Sequence, residues 1–234
     1  MKADDIFRFP EEEKWEAALR GLPREALAGI LSRVADTLPE KKRYSEIPER
    51  LCAVLDVLAR SCDAFLRTWN GRTDVFGRIR NQEELYRDCC RLQETVAEGV
   101  RRLSGTVNRI SSPQSVQPYD RWAVTRLAQG AVAEEAVTAE AKALTDRLAA
   151  AERAEARLTQ QTEQVRGFLR GAVQTYAERS LILSDAENGG KSIRAGALLS
   201  LAAEFRTAAA ECRRAVEAAA GNSGSVHKKD TGRS

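Results

Sequence analysis

Residues 137–176, VTAEAKALTDRLAAAERAEARLTQQTEQVRGFLRGAVQTY, decide the fold class. Val137, Leu144, Ala151, Leu158, Val165 and Ala172 recur every seven residues, and Ala141, Leu148, Glu155, Thr162, Leu169 and Tyr176 follow them at intervals of four. Every member of the first series is apolar, and in the second only Glu155 and Thr162 are not. A three-four spacing sustained in this way lays one apolar seam along a helix, against a neighbouring helix. The expected interaction seam is Val137, Leu144, Leu148, Ala151, Leu158, Val165, Leu169 and Tyr176. The spacing favours packing inside a bundle of this chain, with a seam reserved for a partner as the alternative.

Outward from the seam, residues 119–183 hold no proline and are dominated by Ala, Glu, Arg, Gln and Leu, which predicts one long helix. Gly167 and Gly171 mark places for a kink or a close helix approach. At 1.5 Å per residue such a helix measures about 98 Å, against about 45 Å across a compact globule of this size, so the expected molecule is elongated.

The six prolines punctuate the rest. Pro10 followed by Glu11, Glu12 and Glu13 opens a short helix over 10–20, with carboxylates at the positive end of the helix dipole. Pro23 opens a second, with Leu27, Ile30, Leu31, Val34 and Leu38 at helical spacing before Pro39. Pro48 is expected to open a third, with a stripe of Leu51, Leu55, Leu58, Cys62, Phe65 and Trp69. Asn70-Gly71 reads as a break, because its flanks have helical rather than alternating period. The stripe then resumes with Leu85, Cys89, Leu92, Val96, Leu103, Val107 and Ile110, up to a loop that ends at Pro118. Asn188-Gly189-Gly190 closes the long helix, and Leu198, Leu201, Phe205, Cys212 and Val216 form the stripe of a last one.

The resulting fold class is all-α, an elongated helical bundle or coiled coil. Its expected parts are a small short-helix head over 1–45, a long-helix bundle over 46–220 and a disordered polar tail over 221–234.

Composition restricts the function. The 234 residues carry 37 Lys plus Arg against 34 Asp plus Glu, a net charge of +3 with the signs interspersed. Lys41-Lys42-Arg43, Arg101-Arg102 and Lys228-Lys229 are the local basic clusters, too scattered for a phosphate-tracking stripe, so nucleic acid is not an expected partner. No apolar run approaches a membrane span, and the acidic start at Asp4 and Asp5 resembles no secretory signal, which places the chain in the cytoplasm. His227, the one histidine, lies in the tail. Cys62, Cys89 and Cys212 fall on apolar stripes as small buried hydrophobes, and adjacent Cys89-Cys90 lacks redox or zinc spacing. The stretch Asp185 to Ser192 ends in Gly190-Lys191-Ser192 like a phosphate-binding loop, but Asp185 replaces its leading glycine and no strand precedes it.

No catalytic residue, metal site or cofactor is therefore expected. The expected function is a non-enzymatic scaffold or adaptor subunit of a larger cytosolic or cytoskeletal assembly. Its partners would be other protein subunits or a second copy of the chain. The alternative is a membrane-associated module whose helix number and length over 46–220 are similar to those of BAR-domain proteins.

Overall fold

The computed structural model describes residues 10–38, 41–72, 79, 81–110, 116–130, 135–189 and 195–221. Among them it shows an all-α fold of seven helices: α1 (Pro10–Arg20), α2 (Arg24–Thr37), α3 (Lys41–Trp69), α4 (Gln82–Asn108), α5 (Pro118–Ala128), α6 (Glu135–Gly189) and α7 (Ala195–Gly221). The tail expected beyond residue 221, with His227 and Lys228-Lys229, lies outside the described residues.

Two sequence expectations are corrected. Pro48 does not open α3 but lies inside it, so the helix forfeits one backbone hydrogen bond there and continues through 29 residues. The helix expected over 119–183 is divided: α5 stops at Ala128, and Gly130 adopts φ +78°, a left-handed conformation that ends helices and that glycine enters without a Cβ penalty. Gly167 and Gly171, by contrast, sit within the 55-residue α6.

The chain forms two compact units, each built from two stretches of sequence. Residues 1–43 join 112–155 in the first, and 44–111 join 156–234 in the second. Leu19, Leu27, Ile30, Leu31 and Val34 of α1 and α2 complete their burial with Ala123, Val124 and Leu127 of α5 and with Val137, Ala141 and Leu144 of α6.

The second unit is an antiparallel four-helix arrangement whose register can be read from its contacts. A Cβ added to Gly99 of α4 would meet Leu58 of α3 at 2.5 Å, and Trp69 Nε1 donates to Asp88 at 3.2 Å. Both pairs fit one antiparallel register. Arg206 and Arg213 of α7 pair with Asp63 and Asp56 of α3, so these helices also run oppositely. The buried Gln161 of α6 donates to the Val216 carbonyl at 3.0 Å, and Phe168 meets Phe205 edge to face at 5.4 Å, which makes α6 antiparallel to α7. Gln93 of α4 donates to Ser180 of α6. Leu51, Leu55, Leu58, Leu85, Val96, Val165, Leu198 and Phe205 are among the residues filling the core between the helices.

Candidate functional site

The expected seam runs along α6, and the structure divides it between the two units. Val137 and Leu144 belong to the first core, Val165 to the second, and Leu148 and Leu158 are buried as well. Leu169 and Tyr176 pack half-buried against the second core, and Ala151 is half-exposed. Beyond Leu158 the buried stripe widens to include Gln161, Thr162 and Phe168. A stripe wider than the two alternating positions of a coiled-coil seam is what a helix needs when several neighbours surround it. Thr162, a polar member of the seven-residue pattern, is satisfied by the Thr159 carbonyl at 2.8 Å.

The chemistry-bearing residues sort as follows. Residues 181–189 are helical, so no strand leads into the Gly190-Lys191-Ser192 stretch, which itself lies outside the described residues. All five cysteines are free. Burial pushes the Cys62 and Cys212 thiols up to about 11 and Cys89 up to about 12, so these groups stay protonated rather than nucleophilic at neutral pH. No three His, Cys, Asp or Glu side chains among the described residues are grouped to hold a metal ion, and none of the described helices is long and apolar enough to cross a membrane. Of the basic clusters, Arg101 and Arg102 both pair with Glu98, at 2.6 Å each, and together hold its carboxyl below the usual range.

Two clusters escaped the sequence reading. In the first unit Trp15 of α1 meets Tyr119 and Trp122 of α5, with ring centroids 5.6–6.1 Å apart. Those are aromatic contact distances, so the rings fill the space between themselves and clamp α1 to α5 rather than framing a cage for a cation. Bidentate ion pairs flank them. Arg126 donates to both oxygens of Glu16 at 2.9 and 3.0 Å, and Arg33 to both oxygens of Asp120 at 3.1 and 2.7 Å. The Arg126 guanidinium lowers the pKa of Glu16 by hydrogen bonding to its carboxylate.

The other cluster lies in the second unit around Arg179 of α6. The side chain is 3% exposed, and its Nη2 has no hydrogen-bond partner among the described residues. The α3–α4 register sets Cys62 level with Thr95, and the Gln93–Ser180 bond brings α6 to the same level at Arg179. Its electrostatic neighbours are the thiols of Cys62 and Cys89 and the phenol of Tyr176, and burial lowers its pKa. A signal for it existed in the sequence: one further step of seven from Ala172 reaches Arg179, a cation on an otherwise apolar series.

Set against family models, curated proteins and solved structures, the chain matches none of them.

Proposed function

We propose that the chain is a non-enzymatic helical scaffold or adaptor subunit of a larger protein assembly, working in the cytoplasm. The observation that carries this reading is the use made of its polar side chains. Asp56, Asp63, Arg206 and Arg213 join α3 to α7, Glu16 and Arg126 join α1 to α5, and Arg33 and Asp120 join α2 to α5. Groups that in an enzyme would converge on a substrate here tie one helix to the next. Five free thiols suit a reducing compartment. Since most of the seven-residue seam is buried within the chain, partner contacts would fall on exposed helix faces, of which Val173 and Leu181 of α6 carry, among the described residues, the largest apolar exposure, 61% and 66%.

The test is affinity capture of the full chain followed by sedimentation of the recovered complex, alongside a Val173→Glu/Leu181→Glu variant. A complex of fixed stoichiometry that the variant loses is the expected result. A chain that remains monomeric and recovers no stoichiometric partner overturns the reading. Salt-sensitive binding to anionic vesicles would instead favour the membrane module, against which the engagement of Arg101 and Arg102 with Glu98 speaks.

A further inference from the structure

We propose that Arg179 anchors a buried site in the second unit for a small, weakly hydrated monovalent anion of the halide class. A guanidinium is always charged and presents only donors, so burying it calls for an acceptor. Arg179 is 3% exposed, and its Nη2 meets no acceptor among the described residues. Buried unsatisfied polar atoms are rare in native proteins, and a bound ion is one of the recurring ways they are satisfied.

The surroundings fit an anion. At the level of Arg179 the register places Cys62 of α3, with Cys89 six residues back toward the start of α4, about 9 Å of helix rise. That separation keeps the two sulfurs from a disulfide and leaves both as neutral S–H groups, with Cys62 the one level with Arg179. Both cysteines are buried, at 0% and 1% exposure, and their thiols remain protonated at neutral pH. Among the described residues, the groups that act electrostatically on Arg179 are the Cys62 and Cys89 thiols and the Tyr176 phenol. The site therefore has one positive charge and, level with it, the neutral Cys62 thiol, which belongs to the same apolar core as Leu92 and Val96. An oxyanion such as phosphate needs several N–H donors and more room, whereas chloride or bromide needs few donors and sheds its water more readily than fluoride or sulfate. The inference is independent of the scaffold reading.

The experiment measures the melting temperature of the full chain at constant ionic strength while sodium fluoride is exchanged for chloride or bromide, with Arg179→Met and Arg179→Lys alongside. The expected result is a saturable rise of several degrees with chloride and bromide that Arg179→Met lacks, because a ligand that binds only the folded state must stabilise it. No halide-specific rise in the native chain, or the same rise in Arg179→Met, overturns the proposal. If neither variant folds, crystals of the native chain grown in bromide decide. Anomalous density beside Arg179 Nη2 supports the site, and a featureless map at saturating bromide overturns it.

Discussion

Gly99 shows how a single hydrogen atom sets a helix separation. A methyl group there would meet Leu58 Cδ2 at 2.5 Å and Cγ at 2.9 Å, and Leu58 is 0% exposed, so it has nowhere to move. Gly99→Ala gains about 1 kcal/mol of helix propensity but incurs overpacking of about 1–3 kcal/mol, so net destabilisation is expected in urea melts. Gly105, on the same helix with open space around it, is the control: its change to Ala should stabilise by about 0.4–1 kcal/mol. The thiols give a pH dependence. Unfolded thiols ionise near 9, whereas Cys62 and Cys212 are held at about 11 and Cys89 at about 12. Their contribution to stability is thus intact below pH 9 and falls as pH rises to 11–12, because over that window the unfolded chain releases protons that the folded chain retains. Urea midpoints at pH 8 and 10.5 should record the fall, with a shallower decline in Cys89→Ala. In native protein at neutral pH a thiol reagent should label Cys52 and Cys90, the two half-buried cysteines, and reach Cys62, Cys89 and Cys212 only after unfolding.

At the scale of the element, α6 joins a simple pattern to a complex burial. Leu144 lies in the first core and Val165 in the second, so an Asp at either position puts a charge among apolar side chains, at a cost of several kcal/mol. Circular dichroism melts of Leu144→Asp and Val165→Asp should show loss of cooperative helical unfolding in the isolated chain. Unchanged melts in both variants would mean that these positions are solvated and open to a partner. The α3–α7 ion pairs are a weaker device: their side chains are 31–43% exposed, and a double-mutant cycle on Asp63 and Arg206 should return no more than about 1 kcal/mol.

For the whole molecule, the division into two cores predicts how damage spreads. Leu31 is 1% exposed in the first core, and Leu31→Ala should cost about 2–5 kcal/mol. Hydrogen exchange should then quicken in α1, α2 and α5 while amides of α4 and α7, which belong to the second core, keep their protection. Uniform loss of protection across all helices would show that the two cores unfold as one.

Periodicity and punctuation by themselves determined that this chain is helical and, within a few residues, where most helices stop: α3 ends at Trp69 just before Asn70-Gly71, and α6 ends at Gly189, because helix-ending chemistry is local. Local rules failed at Pro48, where a downstream run of well-buried positions outweighs one lost hydrogen bond, and at Gln129-Gly130, where good helix formers on both sides concealed the break. Which helices share a core was decided only in three dimensions. Nothing in residues 10–37 indicates that their apolar faces close against residues 123–144, since a stripe records that a face must be buried but not what buries it. The same holds for Arg179 and Phe168: the seven-residue pattern describes contact with one neighbour, while packing among several widens the buried face and draws in side chains that the pattern omits.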